Sequence, residues 1–306
     1  MFAILRLCVA TLASLLPLAG QSETTNCTAI PSVPFTISAA GVYCLNTDLI
    51  TGITSGAAVT INANSVTIDM NGRRLAGGQA GTATTAVGIY ANNRRNITMR
   101  NGTIRGFWKG IFLDNGGSHL IEQIRADANT QWGIQIYGHN SVVRNNQVSN
   151  TGGTTAASVA DTYGIFVQGD SNHILDNDVM HSFANGKFSR AVGILAHGAN
   201  AVVESNRISN LISALANTNG IWCEAASNTL IAANRISGSS AADNAIGIRV
   251  TNLSANVVVR DNLITGVATT GVYFEEFTSG VRSGNVVQGA TTPYVGAAEH
   301  ATTNYP

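Results

Sequence analysis

A Gly followed by a β-branched residue recurs along most of this chain and constrains its fold more than any other feature. The units are Gly88-Ile89-Tyr90-Ala91, Gly110-Ile111-Phe112-Leu113, Gly133-Ile134-Gln135-Ile136 and Gly164-Ile165-Phe166-Val167, then Gly193-Ile194-Leu195-Ala196, Gly220-Ile221-Trp222-Cys223, Gly247-Ile248-Arg249-Val250 and Gly271-Val272-Tyr273-Phe274. Successive glycines stand 22, 23, 31, 29, 27, 27 and 24 residues apart, and Ala58-Val59-Thr60-Ile61 begins the series. A second signal is locked to the first. An Asn follows each Gly by thirteen to fifteen residues, with a β-branched residue two further on: Asn146, Asn177, Asn206, Asn234, Asn262 and Asn285. Asn71 and Asn101 take this place in the first coils, and Gln123 replaces it in the third. Period-two alternation makes short strands, and a unit of this length cannot bury its own inner face, so the units must stack. The expected fold is all-β: a right-handed parallel β-helix of about nine coils. The Asn residues are expected at one turn of every coil, in a left-handed backbone, bonded to the coils above and below. Leucine-rich repeats have a similar period but are built on Leu, whereas Ile and Val hold the inward places here. A nonapeptide calcium-binding roll needs a repeated Gly-Gly-x-Gly-x-Asp, which is absent.

The rest of the chain fits an exported protein. Arg6 precedes an apolar run, Leu7 to Leu18, that is too short to span a bilayer and ends in small residues. Residues 1–21 read as a signal peptide cut near Gly20 to Ser22, and Gln21 stands where a lipid anchor would need Cys. Residues 22–55 are expected to form an N-terminal cap, 56–290 the β-helix and 291–306 a C-terminal tail or cap. Cys8 leaves with the signal. Cys27 and Cys44 are close in sequence and are expected to pair in an oxidising compartment, secreted or periplasmic, leaving Cys223 as a buried apolar thiol. Lys plus Arg equals Asp plus Glu at 17 each. No global field draws the chain to nucleic acid or to an anionic membrane, and no later segment is apolar enough for membrane insertion.

These repeats, with the run Val66-Thr67-Ile68-Asp69-Met70-Asn71-Gly72-Arg73-Arg74-Leu75-Ala76-Gly77, resemble the right-handed β-helix repeat proteins of the pectin-lyase-like superfamily. Cys27 to Leu49 resembles the N-terminal part of exported bacterial members. The resemblance covers roughly residues 25 to 290. It implies the fold but not one activity, since the superfamily includes pectate lyases, polygalacturonases, alginate epimerases, phage tailspikes and a periplasmic accessory of nitrous oxide reductase. It also implies that the Gly-Ile strand face and the loops before it correspond to the substrate groove.

On that face two outward columns are expected, about 4.8 Å per step. The first is Tyr90, Phe112, Gln135, Phe166, Leu195, Trp222, Arg249 and Tyr273; the second is Asn92, Asp114, Tyr137, Gln168, His197, Glu224, Thr251 and Glu275. Five of the eight residues in the first column are aromatic in a chain that is 6% aromatic, and an outward aromatic row marks a binding surface for sugar rings. Tyr90, Phe112, Tyr137, Phe166, Trp222 and Tyr273 are therefore the candidate substrate-binding residues for a polysaccharide partner. Loops folding over these rings would instead make them a satellite core. Glu224, Glu275, His197, Arg249 and Asp114 are the candidate catalytic residues. Two carboxyls two coils apart suit an inverting glycosidase, and Arg249, Lys109 or His197 would neutralise a uronate in a lyase; His139 and Asp170 form a further pair.

Family motifs are only partly present. Asn46-Thr47-Asp48 lies outside the repeats, Ala196-His197-Gly198 approximates a Gly-His-Gly, and an Asp-Pro-His-Asp run is absent. No cofactor is expected. Calcium is the ion that Asp114 or the two glutamates would suit, and scattered His with 4 Met argue against copper. The expected function is an exported β-helix protein that binds, and in the enzymatic case cleaves, a polysaccharide as lyase or glycoside hydrolase. The alternative is a non-catalytic structural or interaction rod of the cell envelope.

Overall fold

The computed structural model describes residues 23–300 apart from Gln79, Val159, Lys187, Ala297 and Ala298. The signal-peptide reading and Cys8 lie outside the described residues. The chain winds as a right-handed parallel β-helix. One face is an eleven-stranded parallel sheet, and its strands number the rungs. Rungs 1 to 6 are Phe35–Ile37, Ala57–Ile61, Val87–Arg95, Lys109–Gly117, Trp132–Tyr137 and Thr162–Gln168. Rungs 7 to 11 are Ala191–His197, Thr218–Glu224, Ala245–Thr251, Thr270–Phe274 and Thr292–Val295. The nine coils of the repeat are rungs 2 to 10. Phe35–Ile37 and Thr292–Val295 add one rung at each end by pairing parallel with their neighbours. The other faces belong to a 22-stranded sheet, in which short strands such as Val142–Arg144 and Gln147–Ser149 follow each rung. The described residues contain no helix long and apolar enough to cross a membrane.

The repeat residues make the core. Ile111, Ile134, Ile165, Ile194, Ile221, Ile248 and Val272 stack in register and are fully buried. The recurring Gly is required by close approach rather than by an unusual φ. A Cβ at Gly220 would meet the Gly247 carbonyl oxygen at 2.5 Å and the Ile236 side chain at 2.7 Å. At N-terminal end of the helix, Cys27 and Cys44 form a disulfide. Nearby, buried Asp69 accepts hydrogen bonds from Thr24 Oγ1 and Arg100 Nε, tying the first described residues to the second coil. Cys223 points inward, fully buried, and burial pushes its thiol up to about 12.

The asparagines form one continuous buried ladder. The Oδ1 of Asn146, Asn177, Asn206, Asn234, Asn262 and Asn285 each accepts a backbone N–H from the coil before it, at 2.9, 3.0, 2.9, 2.9, 2.9 and 3.1 Å. Their Nδ2 groups donate to main-chain carbonyls such as Ile174 O and Val203 O. One expectation needs correction. The left-handed residue is the one before the ladder position: Asn145, Asp176, Ser205, Ala233 and Asp261 have φ of 54 to 58°. Asn101 (φ 59°) and Gln123 (φ 55°) belong to this left-handed row, and Asn71 (φ 49°) is also left-handed, so none of the three continues the ladder. A ladder Asn must aim its amide inward, whereas the corner before it needs only a side chain that tolerates αL.

Candidate binding groove on the rung sheet

The strand register aligns the first column as the repeat implied. Tyr90 pairs with Phe112, Phe112 with Gln135, Gln135 with Phe166, Phe166 with Leu195, Leu195 with Trp222, Trp222 with Arg249 and Arg249 with Tyr273. In the second column Asn92 pairs with Asp114, and Tyr137, Gln168, His197, Glu224 and Thr251 follow one another on rungs 5 to 9.

The two halves of the face differ. On rungs 3 to 6 the half-buried rings of Tyr90, Phe112, Tyr137 and Phe166 form a connected row, with centroids 5.4, 5.8 and 5.4 Å apart. On rungs 6 to 8 the outward apolar residues are covered. Tyr163, Val192, Leu195 and Trp222 form a small core of their own, with Trp132 and Phe166 packed against it. Trp222 is thus withdrawn from the stacking set. It is only 6% exposed, the guanidinium of Arg190 lies 4.5 Å from its ring centroid, and its Nε1 donates to Thr251 Oγ1 at 2.8 Å. Tyr273 on rung 10 stays half-buried beside Arg249.

The cover is fastened at Asp161. Its carboxylate accepts from Arg190 N at 2.8 Å, Arg190 Nε at 3.0 Å, Arg190 Nη2 at 2.5 Å and the Tyr163 hydroxyl at 3.1 Å. Its carbonyl accepts from Trp132 Nε1 at 3.0 Å. Burial opposes the Arg190 charge, but the hydrogen bond and charge of Asp161 hold its pKa above the ordinary arginine value. Burial and the Asp161 carboxylate push the Tyr163 phenol upward.

The acidic candidates fall toward the C-terminal side of the rung strands. Glu224 Oε2 lies 3.5 Å from His197 Nδ1, and Glu224 Oε1 accepts from Asn252 Nδ2 at 3.4 Å. Glu275 accepts the Asn252 backbone N–H at 2.7 Å and so caps a turn. Arg249 lies between the two glutamates electrostatically, but burial lowers its pKa, and neither carboxylate reaches it within ion-pair distance. Glu224 with His197 is therefore the candidate pair best placed to move a proton. Asp114 sits on rung 4 beside Lys109, whose charge it supports; burial brings the Lys109 ammonium down to about 8. His139 and Asp170, 3.9 Å apart, are caps: His139 Nδ1 accepts Asp170 N and Asp170 Oδ1 accepts Ala199 N. Among the described residues no three His, Cys, Asp or Glu side chains converge as a metal site.

Sequence reasoning passed over Trp108, Trp132, Asp161, Tyr163 and Arg190. Lys109, Trp132 and Tyr163 immediately precede repeat glycines. The register pairs Lys109 with Trp132 and Ile111 with Ile134, passing over Gly110 and Gly133. Alternation slips by one at the Gly, so the residue before it faces out although strict period two would turn it inward. Asp161 and Arg190 each stand three before a repeat Gly in adjacent coils; their opposite charges at one register position were the readable sign. A separate concavity of about 500 Å³ includes Ile50, Arg74, Ala76 and Arg105 in its lining. Its arginines are already paired, Arg74 with Asp48 at 3.1 Å and Arg105 with Asp127 at 3.3 Å, and it lies off the aromatic row.

Known proteins place this fold. The family model described as right handed beta helix region matches residues 40–183 and 155–304. No curated protein matches the chain in sequence. Among solved structures, the chain is similar to an alginate lyase from Paenibacillus sp. str. FPU-7, with TM-score 0.59, 15% identity, and coverage of 86% of this chain and 99% of that one. It is similar to the Dettilon tailspike protein, with TM-score 0.55, 14% identity, 87% of this chain and 60% of that one, so it spans less than two thirds of the tailspike. It is also similar to PfbA, a surface adhesin of Streptococcus pneumoniae, with TM-score 0.51, 14% identity, 87% of this chain and 83% of that one. At these identities the likeness is one of fold. With the family model spanning the repeats, the chain belongs to the right-handed β-helix family.

Proposed function

We propose that this is an exported protein that binds a polysaccharide lengthwise along its rung sheet, with Glu224 and His197 as the groups placed to move a proton. The observation that carries the reading is the row Tyr90, Phe112, Tyr137 and Phe166: half-exposed rings in contact along the helix axis. Such a row, its rings tilted or set edge to face, makes an aromatic track against which an extended sugar chain can pack. The alginate lyase that shares the fold acts on a polysaccharide, which agrees with this reading. The apolar N-terminal run and the disulfide support export.

The test is affinity electrophoresis of the mature protein in gels cast with a panel of neutral and acidic polysaccharides. Absorbance near 235 nm is followed for unsaturated uronates, and reducing ends for hydrolysis. Retardation by at least one polymer is expected; absence of retardation across the panel contradicts the reading. Phe112→Ala should weaken binding about tenfold, an aromatic contact of about 1.4 kcal/mol, while thermal unfolding stays near wild type. For a polymer that the protein cuts, Glu224→Gln should lower turnover at least about 100-fold, because the amide neither accepts nor donates the proton. Unchanged turnover would move the assignment to Glu275, then Asp114.

The second reading, a non-catalytic rod, is favoured by one observation: loops cover Trp222 and Leu195, so the middle of the sheet is a packed core rather than an open floor. Binding without any product in either assay selects a non-catalytic module.

A further inference from the structure

The groove is polarised across its width. At the N-terminal edge of rung 4 stands Lys109, only 6% exposed. Its Nζ lies 4.3, 4.1 and 4.1 Å from the ring centroids of Trp108, Phe112 and Trp132. Three π faces offset the charge of an ammonium, but its three N–H donors still require acceptors. Among the described residues no acceptor lies within hydrogen-bond or ion-pair distance of Lys109 Nζ. Asp114 acts on it only through its charge.

Arg249, on rung 9, repeats the arrangement. Its guanidinium lies 5.2 Å from the Trp222 centroid and 5.8 Å from the Tyr273 centroid. Its Nε is buried without a partner, and none of its donors meets a carboxylate among the described residues. Arg190, by contrast, spends its fork on Asp161. Two cations with unused donors therefore lie on the rung face on either side of its covered middle, five rungs apart. At about 4.8 Å per rung that is about 24 Å, a span that a polymer bridges and a small molecule does not. The acids lie toward the other edge: Asp114 stands in the C-terminal half of its strand, Glu224 ends its own, and Glu275 follows the end of its own. Carboxylates there suit the hydroxyl groups of a sugar, which are donors.

We infer that the polysaccharide is anionic, its carboxylate or sulfate groups directed to Lys109 and Arg249 and its hydroxyls to the acidic edge. The inference rests on the lengthwise-binding reading and adds the charge of the polymer and its orientation across the groove.

Matched pairs of polymers test it: alginate, polygalacturonate and hyaluronate, each beside its carboxyl-reduced counterpart, with dextran and dextran sulfate as a further pair. Affinities are measured by titration calorimetry at two salt concentrations. The expected result is at least tenfold tighter binding of an anionic polymer than of its neutral counterpart, weakened by salt. Lys109→Met and Arg249→Gln, each confirmed folded by circular dichroism, should bring the affinity for the anionic polymer down toward that for the neutral one. Preference for dextran sulfate alone assigns the oxyanion to sulfate rather than carboxylate and upholds the inference. Equal affinity within every pair, or wild-type affinity in both variants, overturns the inference while leaving lengthwise binding intact. Binding of no polymer overturns the lengthwise reading as well.

Discussion

Replacing Asn206 by Ala is expected to cost about 4 kcal/mol of stability. Asn206 stands in the middle of the ladder, 1% exposed. Its Oδ1 accepts from Asn177 N at 2.9 Å and Asn177 Nδ2 at 3.0 Å, and its Nδ2 donates to Ile174 O at 2.8 Å. Alanine leaves those partners buried without replacements, each at roughly 1–3 kcal/mol. Asn285, at the end of the ladder, is the control. It is half-buried and has no further Asn above it, so water can take over and Asn285→Ala should cost about 1 kcal/mol. Urea denaturation followed by circular dichroism measures both. Similar small losses at the two positions would mean that the ladder contributes little.

Acidification should destabilise the fold by roughly 3 kcal/mol through His119 alone. The residue is 2% exposed at a corner of the third sheet coil, and burial brings its imidazole down to about 4. Nδ1 accepts the Ile97 N–H at 3.4 Å, and Nε2 is buried without a partner. A proton on Nδ1 would set a donor against a donor. The unfolded imidazole titrates near its ordinary value of 6.5, so the unfolded state binds the proton first. Stability is full above about pH 6.5, falls as pH drops from there to about 4, and levels off below that as far as this group is concerned. The substitution that separates this effect from general acid unfolding is His119→Asn. At the same corner position two coils further along the stack, Asn172 Oδ1 accepts Ser141 N at 2.8 Å, so an amide does the same task without titrating. His119→Asn should keep most of the stability at pH 7.5 and lose less of it at pH 4.5 than the parent. Parallel pH curves for the two proteins would refute the assignment.

The parts of the molecule that were legible in sequence are those fixed by repetition. A Gly-Ile pair at every coil must stack on itself, so the inward Ile row and the column Tyr90 to Tyr273 follow from counting. What repetition does not encode is where non-repeating loops settle. Trp222 and Phe166 occupy equivalent strand positions, yet one is covered by Arg190 and its loop while the other stays half-exposed, because Asp161 happens to stand one coil below Arg190. Lys109 was legible as a neutralising cation, but its setting among the rings was not. The parity slip at Gly110 turns it outward among the rings, whereas strict alternation would have placed it inward. The Asn ladder was found as a pattern but shifted by one residue at the corner. Side-chain amides and left-handed backbones are both favoured by Asn, and composition alone does not tell which of two adjacent positions uses which property.

Lengthwise binding is tested by crystallographic analysis of the mature protein with a bound oligosaccharide of six or more sugars. The expected result is a ligand lying parallel to the helix axis, with sugar rings over Tyr90, Phe112, Tyr137 and Phe166. A ligand lying across the axis, or seated in the concavity beside Arg74 and Arg105, would contradict it.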